Sequence, residues 1–172
     1  MTYKVRTTDS HVYFLTGPFS QWHPSEFHAP LAEGGRTLRF SHAEQYMMAG
    51  KALLFGDHET LERIMDAPHP RDQKELGRTV RNFDADTWNA HAREIVYEGN
   101  LAKFNQDSDL REYLMNTGDL YLVEGAWYDR VWGIGLAWDD DRILDVNNWQ
   151  GTNWLGETLM RVRAALRADA DV

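Results

Sequence analysis

The sequence contains no cysteine. That excludes a disulfide framework, a thiolate nucleophile and a Cys-based zinc site, and it suits a reducing compartment. Long apolar runs are also missing. The longest, Val131–Trp138, falls far short of the about 20 residues that span a bilayer. The opening stretch MTYKVRTTDS is polar and lacks the apolar centre of a signal peptide. A cytoplasmic location with no membrane partner is therefore expected. Basic residues are in the minority: 18 Lys and Arg against 27 Asp and Glu give a formal net charge of −9. Duplex nucleic acid, which wants net positive faces, is disfavoured as a general partner. A small phosphorylated ligand gripped by a few local cations is not. The seven histidines lack an HExxH pattern, and His23, His28 and His42 are irregularly spaced, so no metal is expected. Internal repeats, linkers and low-complexity tracts are absent.

What is present is a chain of 172 residues, most simply one domain over 1–172, with a core at about 11–168 and a frayed tail at 169–172. Hydrophobic content of 42% is that of an ordinary globular protein. Seven Trp is many for this length, and a flat indole suits stacking on sugars and bases.

The stretch Ser41–Asp57, SHAEQYMMAGKALLFGD, organises the rest. Ser41 with Glu44 three residues later has the form of a capping box, and Gly56-Asp57 supplies a stop. Gly50 is the weak point inside the helix, at about 1 kcal/mol against Ala. Glu44 and Lys51 lie seven residues apart, about two turns, and share a face. Tyr46, Met47, Met48, Leu53, Leu54 and Phe55 surround that face, and a helix apolar nearly all round is buried. Each charge has a bland reading: Glu44 closes the capping box, and Lys51 snorkels. Each also has a chemical one, because charges on a buried helix are costly unless they pair or react.

Lys4–Arg6, Val12–Phe14, Leu38–Phe40 and Leu120–Glu124 read as strands. Pro18–Pro30 reads as an ordered, aromatic-rich loop. Helices are expected over His58–Asp66 capped by Asp57, Arg71–Arg81 opened by Pro70, a segment from Asp84 to Phe104 broken near Gly99, Asp109–Met115 capped by Ser108, and Trp154–Arg167 capped by Asn153. Gly125–Gln150 has no period and is rich in Trp, Gly and Asp, which marks a functional loop. Within it, Asp129-Arg130 and Trp132-Gly133 put a carboxylate, a guanidinium and an indole beside a glycine that lets backbone approach a ligand. The alternative is a surface turn with a buried Trp. Gly151–Gly156 opens the last helix, where free N–H groups around Asn153 suit an anion; ordinary capping is the alternative. Lys103-Phe104 offers a cation beside an aromatic, or a solvated Lys and a core Phe.

Taken in order, PFSQWHPSEF, SHAEQYMMAGKALLFGD, GRTVRNFDADTW, GNLAKFNQ, TGDLYLVEG, DRVWGIGLA and WQGTNWLGETLMRVR resemble the NADAR family, the YbiA-like superfamily, over about Pro18 to Leu166. The resemblance implies a compact, mainly α (α+β) fold of about six helices with a few short strands. It implies N-glycosidase activity without a cofactor, on the C1′–N bond of riboflavin-pathway ribosylamino-pyrimidine phosphates or of ADP-ribosylated guanine, free or carried on nucleic acid. By motif, the family's helix Glu and Lys fall on Glu44 and Lys51, its loop Asp and Trp on Asp129 and Trp132, its Lys-Phe on Lys103 and Phe104, and its last helix start on Gly151, Asn153, Leu155 and Gly156. The early motif departs from the family's F/L-S-N-F, reading Phe19-Ser20-Gln21-Trp22, which bears on how the base or ribose sits and so on the identity of the substrate more than on the reaction.

Glu44, Lys51 and Asp129 are accordingly the expected catalytic groups. Phe19, Ser20, Gln21, Trp22, Trp88, Lys103, Phe104, Arg130, Trp132, Gly133 and Asn153 are the expected substrate-binding ones. A non-catalytic module that reads ADP-ribose or a nucleotide is the alternative. It would keep the aromatic walls and phosphate grips without needing both carboxylates and Lys51.

Overall fold

A computed structural model describes residues 2–172. The chain forms two compact units. One is assembled from residues 2–20 and 108–172, the other from the continuous segment 21–107. Five short strands and six α-helices are found among the described residues, an α+β class.

The first unit contains a sheet of three strands, β1 (Val5–Thr7), β2 (His11–Phe14) and, much later in the chain, β5 (Tyr121–Glu124). β1 and β2 run antiparallel, and β2 and β5 run parallel with His11 opposite Tyr121 and Phe14 opposite Glu124. Helix α5 (Ser108–Met115) precedes β5, and α6 (Trp154–Ala170) packs on it through Leu155, Leu159, Val162 and Leu166, all fully buried. Their spacing is the helical one seen in the sequence. The loop from Gly125 to Gln150 carries two short 3-10 turns, Asp141–Leu144 and Val146–Asn148. Its Ile134, Leu136 and Ile143 bury against Tyr13 and Val123, so packing anchors this aperiodic stretch at those points.

The second unit pairs β3 (Phe27–Pro30) with β4 (Thr37–Phe40) antiparallel, Phe27 opposite Phe40. Four helices follow: α1 (Ala43–Leu54), α2 (His58–Asp66), α3 (Pro70–Gly77) and α4 (Ala85–Gln106). α1 packs against the other three, and nine of its twelve residues are buried. Two glycines permit the close approach of α1 and α4. A Cβ on Gly50 would meet Ile95 Cγ2 at 2.7 Å, and one on Gly99 would meet Tyr46 Cδ1 at 2.5 Å. The helix propensity lost at Gly50 is thus exchanged for interhelical contact, and α4 runs unbroken through Gly99 instead of breaking there.

The local rules account for most helix ends. Asp57 accepts the Thr60 N–H at 3.1 Å and Asp84 the Thr87 N–H at 2.9 Å, both side-chain N-caps. α1 closes with Gly56 at φ +69, the Gly56 N–H on Leu53 C=O at 3.0 Å and the Asp57 N–H on Ala52 C=O at 2.9 Å, a Schellman motif. α3 ends at Gly77, earlier than expected, and beyond it the Arg81 N–H reaches Asp57 Oδ2 at 2.9 Å.

Candidate active site

The start of α1 departs from the capping box expected of Ser41 and Glu44. His42 stands at the N-cap without a side-chain cap, and the helix begins at Ala43. The reach back is made by Gln45, whose Oε1 accepts the Ser41 N–H at 2.8 Å while its amide donates to Ile64 C=O at 3.1 Å and Met65 C=O at 3.2 Å. The Glu44 N–H is satisfied by Gln21 C=O at 3.0 Å. Capping therefore falls to Gln45, and Glu44 brings a carboxylate into a residue position only 5% exposed.

Two turns further on, Lys51 is half-buried. Its Nζ lies 4.7 Å from the ring centre of Phe83 and 5.5 Å from that of Trp88. Burial lowers its pKa, Glu44 pulls the other way without overcoming it, and Arg78 adds to the lowering. Phe83 was no part of the expected site. It belongs to a connector between two helices, a context in which a lone aromatic carries no periodic signal.

The loop 21–25 is tied to this helix and to α4. Gln21 Oε1 accepts from Asn100 Nδ2 at 2.8 Å, and Asn100 Nδ2 also donates to Val96 C=O at 2.8 Å. The Ser25 N–H donates to Ser41 C=O at 2.9 Å. Trp22 is exposed, with the Lys74 amine 5.9 Å from its ring. One turn beyond Asn100, Lys103 is 1% exposed, its Nζ 5.0 Å from the Phe104 ring, and burial lowers its pKa to about 7. Burial also lowers His23 and His42, and the charge of Lys103 pushes both in the same direction. In the sequence the two histidines are weighed only as metal ligands; their place near Lys103 does not show there, because the loop and the helix start that carry them are far from it along the chain.

In the first unit, Asp129 Oδ1 accepts the N–H groups of Val131 at 2.9 Å and Trp132 at 2.8 Å, so this carboxylate braces its own loop. Arg130 is exposed and donates to Gln150 Oε1 at 3.2 Å. Trp132 is half-buried and meets Trp154 edge-on at 5.6 Å. Ser20 is half-buried, its N–H on Gly17 C=O at 2.9 Å.

Four expected ligand contacts take structural roles. Phe19, 1% exposed, lies in an aromatic cluster with Phe14 and Tyr113, at 5.4 and 5.0 Å. Phe104 is fully buried. A Cβ at Gly133 would crowd Glu124 C=O at 3.0 Å and Asp129 C=O at 3.1 Å, so its close approach is to the protein's own backbone. Asn153 occupies the N-cap of α6 at φ +52, yet its amide bridges the Glu124 N–H at 3.0 Å and Leu122 C=O at 2.9 Å instead of capping. The anion site expected there is not formed of free donors. The Trp154 N–H already donates to Val131 C=O at 3.0 Å and the Leu155 N–H to Trp132 C=O at 3.1 Å.

Among the described residues there is no group of three or more His, Asp or Glu arranged to hold a metal, and no helix long and apolar enough to cross a membrane.

The class defined by these features is an α+β protein whose central helix carries a buried carboxylate and an aromatic-flanked amine. A NADAR domain model matches residues 10–167. The chain is 44% identical over 145 residues to an N-glycosidase of Acanthamoeba polyphaga mimivirus, covering 84% of this chain and 85% of that one. It is 38% identical over 158 residues to the protein irg-1 of Caenorhabditis elegans, covering 86% and 74%. The NMR structure of the Escherichia coli protein YbiA shares the fold, with a TM-score of 0.74 at 24% identity over 97% of this chain and 90% of that one. The chain belongs to the NADAR family.

Proposed function

We propose that this protein is an N-glycosidase that hydrolyses the C1′–N bond between a ribosyl group and a nitrogen base, with Glu44 and Lys51 acting on the sugar. The enzyme class follows the family, whose relatives in mimivirus and Nostoc punctiforme are named N-glycosidases. The observation that carries the residue assignment is the division of labour at the start of α1. Gln45 takes the capping task, which leaves a buried carboxylate on the same face as an amine that is lodged against two aromatic rings.

Hydrolysis breaks the C1′–N bond and forms a C1′–OH bond. Water supplies the hydroxyl to the sugar, and the base leaves with a proton. The transition state has oxocarbenium character, so a carboxylate beside C1′ lowers its energy and can take the proton from the attacking water. Lys51 serves as a donor to a ribose hydroxyl while protonated. Without its proton it is a nucleophile for C1′. Trp22, exposed in the second unit, supplies a flat face for the base. The substrate class is a ribosylated base whose sugar is phosphorylated or part of ADP-ribose, free or carried on nucleic acid. The site residues need no cofactor for this scheme.

The test is a panel of N-ribosyl compounds, phosphorylated and not, including ADP-ribosylated guanine and ribosylamino-pyrimidine phosphates. Released base and sugar are read by mass spectrometry. Release of free base by the wild-type chain and not by a Glu44→Gln variant is expected. Tight binding of ADP-ribose with no release from any member of the panel would replace the enzyme by a non-catalytic reader.

A further inference from the structure

Lys51 presents three N–H donors, and among the described residues its amine makes no hydrogen bond or ion pair. Its nearest partners are two π faces. An ammonium is attracted to the negative face of a ring, and the same ring keeps water away from it.

These rings are firmly placed. Phe83 is 48% exposed, yet both its flanks are anchored. On one side the Arg81 N–H donates to Asp57 Oδ2 at 2.9 Å, and the Arg81 guanidinium donates to Asp57 Oδ1 at 2.9 Å. On the other side Asp84 caps α4. The turn between them uses Asn82 at φ +60, a conformation Asn tolerates better than most residues. Phe55, one turn after Lys51 on the same face of α1, meets the Phe83 ring at 5.5 Å and 62°. Trp88 enters from the first turns of α4. Three segments thus converge on one amine, and the charged groups acting on it are Glu44 from its own helix and Arg78 from the segment after α3.

We propose that Phe83 is a positioning residue for the glycosidic reaction, holding the Lys51 amine by its ring face together with Trp88 so that the donors stay available to the ribosyl group instead of closing on a carboxylate. The proposal rests on the role given to Lys51 above. A large aromatic left half in water is explained by this task, and so is the effort spent on anchoring it. Phe83 also contributes to the burial that lowers the proton affinity of Lys51. Removing the ring hydrates the amine and moves its titration toward the ordinary lysine range.

Selective 13C labelling of the lysine ε carbons lets Lys51 be titrated by NMR, assigned with Lys51→Arg, in wild type and in Phe83→Ala, Phe83→Leu and Phe83→Trp. Wild-type Lys51 is expected to titrate below the exposed lysines. Phe83→Ala should move it upward, a change of about threefold or more in proton affinity, and Phe83→Trp should restore it. With an active substrate, kcat of Phe83→Ala should fall about tenfold with KM within about twofold, and Phe83→Trp should recover most of it. If Phe83→Ala melts early, Phe83→Leu keeps the apolar bulk and loses only the ring face; it is expected to lose kcat as well. A Lys51 titration and a kcat unchanged in both the Ala and Leu variants would overturn the proposal, leaving the enzyme assignment intact. A shifted titration in a protein that releases no base from any N-ribosyl compound would leave the ring's hold on Lys51 standing and remove the glycosidase reading.

Discussion

Gln45 Oε1 accepts the Ser41 N–H at 2.8 Å, one residue along the helix from the buried Glu44. On the proposed reading, two adjacent side chains at one helix start divide structure from chemistry. Exchanging Glu44 for Gln keeps the shape and removes the charge, so the fold should survive while turnover falls by about 10²-fold or more. Exchanging Gln45 for Ala strands a buried partner at Ile64 and half-buried ones at Ser41 and Met65, and should cost about 1–3 kcal/mol of stability. Thermal melts beside kcat for the two variants check the division. A Glu44→Gln protein that melts early and turns over normally would reverse it.

Lys51 answers to a different probe. Burial outweighs the pull of Glu44, so its neutral form appears at lower pH than for an ordinary lysine. If the neutral amine attacks C1′, the base leaves with a proton, the ribose ring opens to an imine with Lys51, and water hydrolyses that imine; the rate should then climb with pH until Lys51 has lost its proton, and borohydride added during turnover should reduce the imine and leave a covalent mass increase on the peptide containing Lys51. We expect that adduct. Absence of an adduct, with activity kept in Lys51→Arg, would assign the residue a purely electrostatic role.

Lys103 should betray its burial in the stability of the protein. Folding lowers its pKa to about 7, whereas the unfolded chain keeps the proton until about pH 10. Above the unfolded value the neutral form is held in both states and the full stability is present. As pH falls through that window toward 7, the unfolded state binds the proton first and stability is lost, at about 1.4 kcal/mol per pH unit. Lys103→Met should melt higher than wild type near neutrality and flatten that slope. Parallel denaturant titrations of the two proteins at several pH values measure it.

Asn153 gives a prediction of the opposite kind. Its amide satisfies one donor and one acceptor of β5. Asn153→Ala should cost about 1–3 kcal/mol and leave the affinity for a phosphorylated substrate within about twofold, because the helix donors beside it are already bonded. A tenfold rise in KM for the phosphorylated member of a substrate pair alone would return Asn153 to the binding site.

Much of the fold was legible because its signals are local. Asp57 and Asp84 cap the helices expected of them, and Gly56 ends α1 where its lack of a Cβ is needed. The strands at Val12–Phe14 and Leu120–Glu124 were visible from composition, within a residue of their observed bounds. Other features depend on contacts that spacing does not encode. Ser41 and Glu44 fit the capping pattern, but Gln45 holds the backbone because its amide also reaches the end of α2. β3 escaped notice in a proline-rich stretch because its pairing with β4 shows only in the register. Gly99 reads as a helix breaker until Tyr46 is seen against it. The residues of the proposed site divide in the same way. Glu44 and Lys51 stand out as charges on an apolar helix. Phe83, His23 and His42 acquire meaning only from what the fold brings beside them, and Phe19 and Phe104 look like ligand walls until their burial is known.

The parallel pairing of His11 with Tyr121 has a consequence for how the protein is made. During synthesis β2 leaves the ribosome beside β1, its antiparallel partner, long before β5 exists, so the edge of β2 that takes β5 must wait unpaired. Residues 21–107, by contrast, form a continuous segment whose helices meet neighbours close in sequence, and such local contacts form fast. The buried helix with Glu44 and Lys51 can therefore condense while the chain is still growing. The three-stranded sheet is then a late step, and an exposed strand edge at β2 is the hazard of the interval before it.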